Sequence, residues 1–196
     1  MTDALTTPQQ VTSVEDRWRT ASLWAGPAAA VCVVLMAVAI AMTGGDELKM
    51  ATAPAALGST LAGLAALVLM GFGLVSLAVR LPELRRGFGL LAWFVAATGT
   101  ALNAGGQWTQ LFALPGLARS APELAVNGID TVQAGYIASF LVLALGGVLL
   151  GIALKRAGAG RLGSILTIIG GVMMVAPLPA RWTVLAIGIS VLARRR

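Results

Sequence analysis

The chain has 196 residues, of which 58% are apolar and 11% are charged, and its mean hydropathy of +0.87 excludes an ordinary soluble domain, where about 25% of residues are charged. Its net charge of +6 does not indicate a nucleic-acid binder, because the basic residues lie beside apolar stretches without an aromatic-basic binding surface. The chain has no histidine, which excludes bis-His haem ligation, His-based metal sites and His-dependent acid-base catalysis.

The first 20 residues are predicted to form a cytoplasmic tail with an interfacial segment, and residues 21–196 a single transmembrane domain. In the tail, the spacing of Ser13 and Asp16 is typical of a helix cap, with Trp18 and Trp24 at the membrane interface. The pair Gly26-Pro27 predicts a kink where this helix turns into the bilayer.

The apolar stretches predict an all-α integral membrane bundle of six transmembrane helices. They cover residues 21–43, about 55–79, 87 to about 111, 131–154, 162–176 and 180–193. The first four are long enough for a tilted crossing of a hydrocarbon core about 30 Å thick. The last two reach only about 21–23 Å at a rise of about 1.5 Å per residue, so we expect them to form a short hairpin turned at Pro177-Leu178-Pro179.

The distribution of basic residues predicts the orientation of the bundle. Eleven of the 14 Lys and Arg residues lie in the two termini and in the 80–86 and 155–161 loops, and the other three loops hold one each. Because basic loops stay in the cytoplasm, both termini are expected there. A re-entrant final hairpin would leave the same charges inside and differ in the exposure of Arg181 and Trp182.

The origin and surroundings of the protein are also indicated by composition. Arginine supplies 12 of the 14 basic residues in a chain rich in alanine and glycine, which is typical of a GC-rich bacterial genome. We therefore expect a multi-pass protein of the bacterial cytoplasmic (inner) membrane, whose basic residues meet anionic lipid headgroups. No cofactor is expected.

The loops between the spans contain two readable helix signals. Ser120 and Glu123 have the spacing of a capping box and Asn127-Gly128 is a helix stop, so a short helix is expected between them, with Asp130 capping the next span. The string Gly44-Gly45-Asp46-Glu47-Leu48 resembles the core of the diguanylate cyclase motif, which needs a soluble α/β domain. Here it predicts a glycine helix stop followed by an acidic turn.

Small residues recur at four-residue spacing in four spans, and on a helix that spacing places them on one face. They are Ser59 and Gly63; Ala97, Ala101 and Gly105; Gly147 and Gly151; and Gly163, Thr167 and Gly171. Such faces let helix backbones approach closely, so the pattern predicts packing within the bundle, with self-association as the alternative. The single cysteine, Cys32, is expected to be a small apolar filler.

The candidate site is a polar stripe in the outer half of the third span, formed by Thr100, Asn103, Gln107 and Gln110. At about 100° per residue these side chains share one face. Two interpretations are open: hydrogen bonds between helices, or a vestibule for a neutral or zwitterionic molecule. The vestibule would be completed by Gln133, Tyr136 and Arg181.

The leading hypothesis for function is a non-enzymatic accessory or interaction protein, with membrane lipids, a membrane-protein partner or a second copy of the chain as partners. The alternative is a facilitator or binder of a small neutral or lipid-like molecule in the vestibule. An enzyme ranks third, because no side chain within the spans supplies a general base.

Overall fold

The computed structural model describes residues 8–176 and 181–194, and every regular element in them is helical. The helices are α1 (Pro8–Ser22), α2 (Ala25–Thr43), α3 (Glu47–Thr52), α4 (Pro54–Arg80), α5 (Gly87–Ser120), α6 (Pro122–Asn127), α7 (Asp130–Arg156), α8 (Arg161–Met173) and α9 (Thr183–Arg194), with a 3₁₀ turn at Pro82–Arg85 between α4 and α5. Four helical segments are long and apolar enough to cross a membrane: Asp16–Thr43, Pro54–Arg80, Gly87–Ser120 and Pro122–Arg156.

The break between α1 and α2 lies at Leu23-Trp24, three residues before the predicted kink at Pro27. Pro27 falls in the first turn of α2, where a missing N–H costs no hydrogen bond. The hydroxyl of Ser190 in α9 bridges the break: it accepts from the Gly26 N–H at 2.8 Å and donates to the Ser22 carbonyl at 3.0 Å. A side chain inserted into the i to i+4 ladder is a recognised cause of helix kinks.

The glycine stop after α2 is confirmed. Gly44 has φ +67° and its N–H donates to the Ile40 carbonyl, and Gly45 also has a positive φ. The Asp46 side chain then caps α3 by accepting from the Lys49 N–H at 3.0 Å, and this hydrogen bond lowers the pKa of the Asp46 carboxyl.

Three of the predicted caps are wrong, although the short helix α6 and its glycine stop at Gly128 are confirmed. Ser13 lies inside α1. Ser120 ends α5, donating back to the Gly116 carbonyl, because α5 continues far beyond residue 111 through Pro115. Asp130 is the first residue of α7, and Ile129 occupies the capping position.

Helices α5 and α7 pack antiparallel along a seam with no room for side chains. A β-carbon added at Gly99 would lie 2.5 Å from the Leu143 Cα, and one added at Gly146 would lie 2.5 Å from the Ala96 Cα. The backbones therefore meet directly at these two glycines, as small residues permit inside membranes.

The pair α8 and α9 is built into the bundle, and α9 is its most enclosed element. Gly163 packs against Leu192, and Gly170 against Leu185, which makes the two helices antiparallel. Helix α9 also packs on α1, α2 and α4. The predicted turn at Pro177-Leu178-Pro179 lies outside the described residues.

Three of the four small-residue faces pack within the bundle, as predicted. Ser59 and Gly63, Gly147 and Gly151, and Gly163, Thr167 and Gly171 are all buried. The face on α5 differs: Ala101 and Gly105 are exposed, and nothing lies within 4 Å of a β-carbon added at Gly105. For these two residues the prediction of packing within the bundle is wrong, whereas Ala97 is partly buried and packs against the core.

Two ends of the bundle are distinguished by their charge. Helices α4, α7 and α9 end at Arg80, Arg156 and Arg194, and α8 begins at Arg161. We call this the basic end. The opposite end carries the end of α5, the short helix α6 and the start of α7 at Asp130.

The α8–α9 pair stops short of the opposite end. Arg181, just before α9, stacks on the ring of Phe140, which is about 15 Å along α7 from Asp130 at a rise of about 1.5 Å per residue. Trp182 is 2% exposed and packs against Gly63 of α4. Neighbouring helices therefore cover this part of the pair.

Candidate functional site

A cavity of about 770 Å³ occupies the space between α5 and α7 toward the opposite end of the bundle. Its floor is formed by Met174, at the end of α8, and by Arg181. Residues of α6, including Leu124 and Ala125, cover it from the opposite end. The volume is within the range of about 300–1,000 Å³ found for small-molecule sites.

The cavity exists because α5 and α7 separate beyond their glycine seam. The Tyr136 hydroxyl donates to the Gly106 carbonyl at 2.7 Å, and the cavity wall on α7 extends from Val132 to Leu141, on both sides of this bond. The short α8–α9 pair leaves the space between them unfilled. Helix packing therefore creates the cavity at the depth where the two short helices end.

Four of the seven predicted site residues line the cavity: Gln110, Gln133, Tyr136 and Arg181. Gln110 lies beside the Tyr136 hydroxyl, and Gln133 is exposed at the start of α7. Thr109 adds a further polar group. The structure thus brings together residues from α5, α7 and the start of the α9 segment.

The other three predicted residues, Thr100, Asn103 and Gln107, do not line the cavity. Thr100 donates to the Ala96 carbonyl of its own helix at 2.8 Å. Asn103 donates to the carbonyls of Gly99 and Ser139, both at 2.9 Å, and so joins α5 to α7.

Gln107 faces a different neighbour. Its side-chain oxygen would lie 3.0 Å from a β-carbon added at Gly63 of α4, and the Trp182 ring lies beside the same position. The stripe therefore divides: Asn103 meets α7, Gln107 meets α4, and Gln110 reaches the cavity.

Most of the cavity wall is apolar, and sequence reasoning did not identify it. The principal missed residues are Leu114, Leu117, Val132, Ile137, Phe140 and Leu141. An apolar residue within a transmembrane stretch gives no signal that distinguishes a cavity wall from a lipid-facing surface. Only the placement of the short α8–α9 pair shows the difference.

The cavity has a mouth on the side of the bundle, and lining residues beside α6, Gly128, Val132 and Gln133, are exposed as well. Ile137, Leu141 and Val175 line the cavity and are 55%, 54% and 66% exposed. Ile137 and Leu141 lie well inside the apolar length of α7. An apolar molecule can therefore reach the cavity without passing the charged ends of the helices.

Two further observations concern metal ligands and the cysteine in the described part of the chain. No group of three or more His, Cys, Asp or Glu side chains is placed there to hold a metal ion. Cys32 is buried, with its sulfur 3.3 Å from the Ser59 hydroxyl.

Together, fold and cavity define an all-helical protein with four segments able to span a membrane and a ligand-sized, mostly apolar cavity between two of them. Comparison of the chain with protein-family models, curated proteins and solved structures finds no match.

Proposed function

We propose that this chain is a non-enzymatic multi-pass protein of the bacterial cytoplasmic membrane that binds a small lipid-like molecule in the cavity between α5 and α7. The cavity itself is the observation that carries the proposal. A mostly apolar space with a few convergent polar groups, here Gln110, Tyr136 and Arg181, is the usual form of a small-molecule site.

The proposal includes six membrane segments, with α8 and α9 as the last two and both termini in the cytoplasm. The eleven basic residues of the termini and of the 80–86 and 155–161 loops support this orientation. A re-entrant α8–α9 pair would keep the same orientation, because Arg161 and Arg194 lie at the basic end in either arrangement.

The position of the mouth supports a ligand that arrives from the bilayer. Ile137, Leu141 and Val175 surround the entrance with apolar surface, and in a membrane this surface faces lipid chains. The proposed ligand class is therefore a lipid-like amphiphile.

Filling the cavity tests the proposal. Ala113 lines the cavity on α5, and an Ala113→Trp substitution places an indole ring in the space. The matched control is Ala101→Trp on the same helix, where the side chain is exposed outside the cavity. Asn103→Leu is a second control because Asn103 is buried at the α5–α7 contact.

Native mass spectrometry of protein purified in mild detergent measures the outcome. The wild type and both controls should carry a co-purifying lipid or metabolite in a fixed ratio, and Ala113→Trp should lose it while its unfolding temperature without ligand stays unchanged. Equal retention of the ligand by Ala113→Trp would show that the cavity is not the binding site.

A second candidate function is that of an accessory subunit that binds another membrane helix. The exposed face of α5 at Ala101 and Gly105 supports it, because no described residue covers that face and small residues favour close helix contacts in lipid. Disulfide crosslinking of Ala101→Cys in a Cys32→Ser background tests it, with Leu145→Cys on the exposed side of α7 as the control. Absence of any crosslink specific to position 101 would rule this face out.

A further inference from the structure

The cavity is apolar on its walls but charged at its floor. Among the described residues that line it, Arg181 alone carries a charge. One guanidinium nitrogen of Arg181 donates to the Met174 carbonyl at 3.2 Å. Its Cζ atom lies 4.1 Å from the centre of the Phe140 ring, which is a cation–π contact. These two contacts hold the guanidinium at the bottom of the cavity.

The charge of Arg181 has no carboxylate partner in residues 8–176 and 181–194. The ion pairs found there join Arg19 to Asp16 and Lys49 to Asp46. A guanidinium has five N–H donors, and the Met174 carbonyl occupies only one of its nitrogens. A charge at membrane depth is costly unless an opposite charge, a polar group or water meets it.

We infer that the cavity selects amphiphiles with a single anionic headgroup, a carboxylate or a phosphate, which pairs with Arg181 while the alkyl chain lies along the apolar wall toward the mouth. This inference rests on the proposed function. Both headgroups accept the two parallel N–H bonds that a guanidinium offers. The mouth at Ile137, Leu141 and Val175 gives the chain an exit into the bilayer.

Three probes with the same twelve-carbon alkyl chain separate the effect of the headgroup charge on binding from that of the alkyl chain. They are dodecanoate, dodecyl phosphate and dodecanol. Each is titrated at pH 8 into the full-length protein in phosphatidylcholine nanodiscs, and binding is measured by native mass spectrometry. We expect the wild type to bind at least one of the two anions about tenfold or more tighter than dodecanol, the factor that about 1.4 kcal/mol provides. The anion that binds more tightly indicates whether the headgroup of the ligand is the carboxylate of a fatty acid or the phosphate of a lipid.

Variants of Arg181 locate the origin of this preference. Arg181→Gln should lower anion binding to the level of dodecanol, whereas Arg181→Lys should keep a preference for the anion. The matched control is Arg119→Gln, an exposed arginine near the end of α5 that does not line the cavity. If Arg181→Gln does not fold, the wild-type probes and Arg181→Lys still decide the question.

The outcomes separate this inference from the proposed function. Binding of dodecanol and both anions with equal affinity, lost in Ala113→Trp, would overturn charge selection and leave the cavity as a lipid-like site. An equal loss of anion binding in Arg119→Gln and Arg181→Gln would also overturn it, because general surface charge would then be the cause. Failure of all three probes to bind would overturn the inference and the proposed function together.

Discussion

Replacement of Ser190 by alanine should destabilise the bundle far more than loss of one hydroxyl normally does. The hydroxyl accepts from the Gly26 N–H at 2.8 Å and donates to the Ser22 carbonyl at 3.0 Å. Ser190 is 4% exposed. In Ser190→Ala both backbone groups lose their partner at a buried position.

The magnitude follows from those two groups. A buried backbone group left without a partner costs about 1–3 kcal/mol, so two of them set an expected loss of at least about 2 kcal/mol. The helix could recover a direct bond between Ser22 and Gly26 only by straightening. That movement would displace α1 from α4 and α9, against which it packs.

Ser164→Ala is the matched control, because Ser164 is a fully buried serine in the other short helix. Its hydroxyl bonds only to the Gly160 carbonyl, and that carbonyl also accepts from the Ser164 N–H. The carbonyl stays satisfied in the variant, so the loss should be near the net value of one hydrogen bond, about 1 kcal/mol.

Reversible unfolding of both variants in mixed detergent micelles gives the two free energies of unfolding. We expect Ser190→Ala to lose at least about 1 kcal/mol more than Ser164→Ala. Equal losses would refute the claim that Ser190 holds the break between α1 and α2.

Two further predictions concern the glycine seam and the topology. Gly99→Ala should lower the free energy of unfolding by about 1–3 kcal/mol, the usual cost of overpacking, because its β-carbon meets the α7 backbone. Gly105→Ala, where the space is open, should cost little, and equal unfolding free energies for the two variants would contradict the described seam. In a Cys32→Ser background, Glu123→Cys should react with an impermeant thiol reagent in intact cells while Glu83→Cys should react only after permeabilisation, and the reverse pattern would overturn the orientation.

The long helices could be predicted from the sequence because their signals are local. The segments at Pro54–Arg80 and Asp130–Arg156 differ from the predicted spans by one or two residues at each end. Apolar length, a proline in the first turn and glycine after the last turn all act within a few residues. The stop at Gly44 was predictable for the same reason.

The break before α2 could not be placed from local sequence. Gly26 and Pro27 favour a kink, but the hydroxyl that bonds the backbone groups of Ser22 and Gly26 comes from Ser190, 164 positions away from Gly26. Nothing near residue 23 signals that contact. The observed break therefore lies three residues from the predicted kink, because a tertiary contact accompanies this helix boundary.

The sequence predicts that the polar stripe lies on one face of α5, but it does not predict which helix each of its residues contacts. Asn103, Gln107 and Gln110 lie on one side of α5 at about 100° per residue, yet that side of the helix borders α4 as well as α7. Gln107 consequently contacts Gly63, whereas Asn103 bonds to Ser139. Periodicity fixes the direction of a side chain on its own helix and gives no information on which helix stands there.

Helices α5 and α7 form both a close backbone contact and the cavity. Near Gly99 and Gly146, α5 and α7 touch through their backbones, and a contact of that kind permits few alternative arrangements. Beyond Tyr136 they have no such contact, and the α8–α9 pair ends at Arg181 without filling the gap. The close contact at the seam thus fixes the positions of α5 and α7, and the cavity between their separated segments stays open. Under the proposed function, a lipid-like molecule fills this cavity without any movement of the seam.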